Sequence, residues 1–155
     1  MRIVNRLLCV AVLVGVASAM PLAQSKDLLV GTWKLNAEKS KGNFASGTSV
    51  FEAAGDGIKA TVDTTAKDGT AYHYTFTAKY DGKDAAITGK SPYGDTVAVT
   101  RVDPRTVKFV VKMGGKETVT QTIVIAADGK TRTNTTKGKN PKGEPVDGMS
   151  FYERQ

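Results

Sequence analysis

Ala71-Tyr72-His73-Tyr74-Thr75-Phe76-Thr77-Ala78-Lys79-Tyr80 runs directly into Asp81-Gly82. Tyr72, Tyr74, Phe76, Ala78 and Tyr80 share one phase of a two-residue period, and His73, Thr75, Thr77 and Lys79 share the other. A helix would bring residues three or four apart together, whereas this pattern sorts apolar from polar only in an extended strand with one face buried and one wet. Asp-Gly at its end supplies the positive φ of a tight hairpin turn.

The same grammar extends in both directions. Asp56-Gly57, Asp68-Gly69, Tyr93-Gly94, Asp103-Pro104, Gly114-Gly115, Asp128-Gly129 and Lys142-Gly143 recur at intervals that leave room for one strand each. Between them lie segments rich in Thr, Val, Ile, Tyr and Phe. Val107, Phe109, Val111 and Met113 oppose Lys108 and Lys112; Val119, Ile123 and Ile125 oppose Thr118, Thr120 and Thr122. The strands expected are Val30–Asn36, Thr48–Ala53, Ile58–Thr65, Ala71–Tyr80, Asp84–Thr88, Thr96–Val102, Thr106–Met113, Glu117–Ala126, Thr131–Thr136 and Gly148–Arg154. No helix is expected beyond, at most, one turn capped by Asn36 and ended by Gly42. Consecutive hairpins with one wet face favour an all-β, antiparallel up-and-down meander closed into a barrel of about 8–10 strands, because closure removes exposed edges.

Met1, Arg2 and Arg6 precede the apolar run Leu7–Val16, which small residues terminate at Ala17-Ser18-Ala19. About ten apolar residues are too few to span a bilayer and read as a signal peptide over 1–19, with an alternative cleavage site after Ala23. Residues 24–155 form the single domain. The expected location is secreted or periplasmic, without stable membrane insertion after cleavage. Cys9, the only cysteine, falls inside the leader, so the mature chain has no disulfide and relies on burial. Losing Arg2 and Arg6 lowers the formal net charge from +7 to +5. The densest basic cluster, Lys137, Lys139 and Lys142, sits among Gly138, Asn140, Pro141 and Gly143 without aromatics, so no nucleic-acid partner is expected.

Leu29-Val30-Gly31-Thr32-Trp33-Lys34-Leu35-Asn36 resembles the first strand of the calycin superfamily, the lipocalins and fatty-acid-binding proteins, with their Gly-x-Trp signature. The closest fit is a bacterial lipocalin-like domain. The resemblance implies that Gly31 bends the strand near the barrel base and that Trp33 plugs that end beneath a basic side chain, Arg154 or Arg132. Phe151-Tyr152-Glu153-Arg154 is similar to the last strand of fatty-acid-binding proteins, where Arg-x-Tyr holds a ligand carboxylate. Tyr152 fits the tyrosine, but Ser150 stands in the arginine's place. The gap Ala37–Gly47 is too short for that family's two-helix lid.

No nucleophile elbow, P-loop or dinucleotide fingerprint occurs, and the one histidine, His73, lies on the polar face of its strand. No enzyme activity, metal or cofactor is expected. Asn134-Thr135-Thr136 has the form of a glycosylation sequon but lies in an expected strand. Two polar residues interrupt apolar phases: Arg101 follows Val97 and Val99, and Gln121 falls between Val119 and Ile123. A buried charge needs a partner, so an inward Arg101 seeks an acidic side chain or an anionic ligand. The leading expectation is a non-enzymatic protein that holds a small apolar or amphipathic ligand against Tyr72, Tyr74, Phe76, Phe109 and Ile123, with Arg101, Gln121 and Tyr152 contacting its polar end. The alternative is a structural or interaction module of the cell envelope whose barrel is filled. An interior cavity of roughly 300 Å³ or more would favour the first.

Overall fold

A computed structural model describes residues 26–155; the leader, with its cleavage sites and Cys9, lies outside the described residues. Eleven strands follow in chain order: β1 (Gly31–Lys41), β2 (Phe44–Ala54), β3 (Gly57–Ala66), β4 (Ala71–Lys79), β5 (Asp81–Ala86), β6 (Thr88–Lys90), β7 (Thr96–Asp103), β8 (Thr106–Met113), β9 (Lys116–Ile125), β10 (Thr131–Lys139) and β11 (Pro145–Arg154). All ladders are antiparallel, and a single sheet runs β5-β7-β8-β9-β10-β11-β1-β2-β3-β4-β6. The sheet curls into a nearly closed barrel, compatible with a calycin-like fold, and β1 meets β11 with Trp33 opposite Arg154 and Leu35 opposite Tyr152.

The two ends of that sheet are successive pieces of one extended run. β5 pairs with β7 through Asp84↔Ala98 and Ala86↔Thr96, while β6 pairs with β4 through Tyr74↔Gly89. Between them Ile87 donates its N–H to the Asp95 carbonyl at 2.8 Å. One segment therefore changes partners midway and bridges the seam. Gly89 permits this: its φ is +100°, and a Cβ there would collide with the His73 carbonyl of β4.

Ten strands were expected, and the eleventh arises because Asp84–Thr88 is broken at this partner change. Asn36–Lys41 is not a turn of helix but the irregular end of β1. The β1–β11 register shifts there, and local hydrogen bonds fill the irregularity: Asn36 Oδ1 accepts the Lys39 N–H, and Ser40 Oγ donates to the Asn36 carbonyl. Tertiary pairing with β11 overrides the cap propensity of Asn36. Met113 shares a phase with buried Val107, Phe109 and Val111 but lies past a register shift at the rim and is exposed.

The alternating burial of β3 and β8 delivers the core. Ile58, Ala60, Val62 and Thr64 point inward from β3, and Val107, Phe109 and Val111 from β8. Phe109 packs edge-on against Phe76 at 5.8 Å between ring centroids and tilted against Phe51 at 6.3 Å. These contacts contribute apolar burial plus aromatic pairing of about 0.5–1.5 kcal/mol per pair.

Candidate ligand site

The barrel has one stoppered end and one open end. At the stoppered end Trp33 is fully buried, its Nε1 donating to the Leu29 carbonyl at 2.8 Å. The Arg154 guanidinium lies 4.1 Å from the centre of the indole and the Arg132 guanidinium 5.3 Å. Both basic residues considered for the Trp33 stack are thus in place. Arg154 also donates to the carbonyls of Gly129 (Nε, 2.7 Å), Val30 (Nη1, 2.6 Å) and Leu28 (Nη2, 2.5 Å), fastening the entering segment Asp27–Val30 across the base. Gly31 has φ +141°, and a Cβ on it would strike Arg154 Nη1. The Gly-x-Trp pair and the last arginine therefore form one interlocked unit.

Arg101 belongs to this end too, which corrects its expected place on the ligand wall. Its Nη2 donates to Asp27 Oδ2 at 2.6 Å, its guanidinium lies 4.0 Å from the Tyr80 ring centre, and the Tyr80 hydroxyl donates to the same carboxylate oxygen. Asp27 Oδ1 accepts the Leu29 N–H at 2.9 Å. The charge found the acidic partner that burial demands, but in the stopper rather than in a ligand. Partial burial and the adjoining Asp27 carboxylate hold the Tyr80 hydroxyl well above the ordinary phenol range.

Toward the open end the barrel holds a slot of about 50 Å³ with a mixed lining. Tyr74, Phe76, Val97, Phe109 and Val111 line it with apolar surface, and Ser49, Thr64, Gln121, Asn134, Thr136 and Ser150 bring polar groups to it among Phe51, Val62, Ile123 and Tyr152. Above it the hairpins β1–β2, β3–β4 and β10–β11 and the β6–β7 connection surround a half-open groove of about 910 Å³. Phe44, Ser91, Tyr93, Thr136 and Ser150 line both spaces, so the groove lies directly against the slot. The Phe44 and Tyr93 rings meet edge to face at 6.4 Å at that junction. Burial pushes the Tyr93 hydroxyl up to about 12 and raises those of Tyr74 and Tyr152, so all three are neutral donors at physiological pH.

Of the expected ligand contacts, the structure brings Tyr74, Phe76, Phe109, Gln121, Ile123 and Tyr152 together around the slot; Tyr72 is displaced outward to the groove. His73 stands on the exposed face with Nδ1 2.5 Å from Asp63 Oδ1. Among the described residues no group of three His, Cys, Asp or Glu side chains is arranged to hold a metal.

The residue that sequence reasoning placed only at the base is Arg132. It is 1% exposed, lies opposite Ile125 and Tyr152 in the sheet, and shares its inward phase with Asn134 and Thr136. Its guanidinium is boxed by the rings of Tyr152 (4.1 Å), Phe51 (5.1 Å) and Trp33 (5.3 Å). Nη1 donates to Asn134 Oδ1 at 2.9 Å, while Nε and Nη2 reach no protein acceptor. Burial pulls this guanidinium down to about 10. The inward placement of Asn134 also withdraws the sequon from the surface of the folded barrel. Both phases of β10 are polar, so alternation there carried no signal; only the pairing of Arg132 with two apolar inward residues reveals its direction.

No protein-family model matches the chain, and no curated protein matches it.

Proposed function

We propose that the protein is a non-enzymatic, lipocalin-like binder of one small amphipathic molecule, exported by its leader to act in a secreted or periplasmic location. The observation that carries this reading is a wide groove set directly against a narrow slot that is lined by both apolar and polar side chains. A ligand suited to that shape keeps its larger apolar body among Phe44, Tyr72 and Tyr93 and sends only a narrow end inward. Pockets that bind small molecules combine mostly apolar walls with a few fixed polar groups in this way. His73 stands on the outer face beside Asp63, away from slot and groove, so the lining of the candidate site is suited to holding a ligand.

The filled module is the second reading, and one observation favours it: the slot holds about 50 Å³, room for a few water molecules and far below the volume of a lipid chain. The two readings separate on a titration of the mature protein with a neutral, environment-sensitive apolar fluorophore. Saturable 1:1 binding that Tyr93→Arg abolishes, and that Thr75→Arg on the outer face leaves intact, upholds the binder. Lack of saturable binding by the folded protein upholds the module.

A further inference from the structure

Among the described residues, Arg132 is a cation without a counter-ion. Its surroundings are three aromatic rings, one amide oxygen and the slot, and no carboxylate is among its hydrogen-bond or ion-pair partners. Cation–π contacts and a single hydrogen bond recover only part of the cost of taking a guanidinium out of water. The two nitrogens left over are also specific ones. Nε and Nη2 lie along one side of the guanidinium plane, and their hydrogens point the same way, 2.3 Å or so apart in any arginine; this is the edge that grips both oxygens of a carboxylate at once. Asn134 has taken Nη1 and left that edge whole. Thr64 Oγ1, buried in the slot wall, likewise has no partner and adds a hydroxyl donor.

From this geometry we infer that the narrow end of the ligand is a small planar monoanion, a carboxylate, seated side-on against Arg132 Nε and Nη2. The inference rests on the binding reading above and names the chemistry of its ligand. One guanidinium balances one negative charge, and among the described residues no second cation lines the slot, so a doubly charged phosphate head would remain half-compensated in a space of about 50 Å³. The bulk of the ligand stays in the groove. The same chemistry is available to a free small anion such as acetate, and the experiment distinguishes the two sources.

Calorimetric titration of the mature protein with octanoate, octanamide and acetate, repeated on Arg132→Met and Arg132→Lys, tests this. Octanoate should bind at least ten-fold tighter than octanamide, and the ratio should fall to near one in Arg132→Met. Arg132→Lys, which keeps charge but lacks the side-on pair of donors, should retain only a small part of the preference. Octanoate binding ten-fold or more tighter than acetate assigns the carboxylate to an amphiphile; equal affinity assigns the site to a free anion. Equal binding of octanoate and octanamide by the wild type overturns the carboxylate site and leaves the binding function standing. Failure of octanoate, octanamide and acetate alike overturns the carboxylate site, and the fluorophore titration then decides the binding function separately. The wild-type comparison holds whether or not either variant folds.

Discussion

Replacing Trp33 with alanine tests the stopper directly. The side chain is fully buried, its Nε1 is bonded to the Leu29 carbonyl at 2.8 Å, and it is flanked by Arg154 at 4.1 Å and Arg132 at 5.3 Å. Truncating a buried aromatic ring costs about 3–5 kcal/mol. The orphaned carbonyl adds about 1–3 kcal/mol if it stays dry, and loss of the stacked cation about 0.5–2 kcal/mol. Water entering at the base recovers part of the last two, which leaves about 5 kcal/mol, a large share of the 5–15 kcal/mol typical of a domain. Because Trp33 is the only tryptophan, its fluorescence cannot follow the variant. Urea unfolding monitored by far-UV circular dichroism is the suitable assay, with an expected fall in midpoint of roughly 2 M or more. Trp33→Phe, which keeps most of the area and loses the N–H, should cost about 1–2 kcal/mol. A Trp33→Ala midpoint within 0.5 M or so of wild type would refute the stopper argument.

Gly31→Ala should destabilise by about 2–4 kcal/mol in the same assay, since it combines a strained positive φ with eviction of Arg154 from three carbonyls; an unchanged midpoint would separate Gly31 from Arg154. Arg101→Gln should lower stability by about 1–3 kcal/mol without altering the octanoate preference, because Arg101 serves Asp27 in the base; a changed preference measured by calorimetry would place it back in the ligand site. The octanoate preference should hold from about pH 6 to pH 9, because octanoate stays ionised and Arg132 stays protonated throughout that range; a preference that disappears within it, measured by calorimetry, would assign it to another group. Asp68 and Asp103 are held below the usual carboxylate range by backbone N–H donors at Thr70 and Arg105. A depressed folded value gives stability that is complete above about pH 4 and lost as pH falls through the lowered values, so Asp103→Asn should flatten the acid side of the melting-temperature profile.

The fold was legible because most strands carry unlike residues on their two faces. Ala71–Lys79, Thr106–Met113 and Lys116–Ile125 announce both their extended form and their inward side through the contrast of aromatic or branched residues with Thr and Lys. The site was half legible for the same reason. Tyr74, Phe76, Phe109 and Ile123 were found by phase, but Arg132-Thr133-Asn134-Thr135-Thr136 offers no contrast, and its inward set emerges only from pairing with β9 and β11. Arg101 shows the converse limit. Its phase marked it as inward, yet phase does not say at what depth along the barrel a residue lies or whether residues such as Asp27, 74 positions away, come to meet it. The break at Ile87 was invisible because a strand that changes neighbours looks locally like a strand that does not.

The ladder between β1 and β11 sets the order of events during synthesis. Trp33 and Arg154 are cross-strand neighbours although nearly the whole domain lies between them in the chain. Local hairpins from β2 to β10 can assemble as the chain emerges, but β1 and β10 cannot be joined until the last strand, β11, is free. Contacts so distant in sequence carry a large loop-closure cost and slow folding. Until then the edges of β1 and β10 are open to other chains, as unpaired strand edges are in partly folded β proteins. A chain trimmed before Pro145 therefore exposes the borders of β1 and β10 in addition to the short seam that the β5–β6 segment bridges.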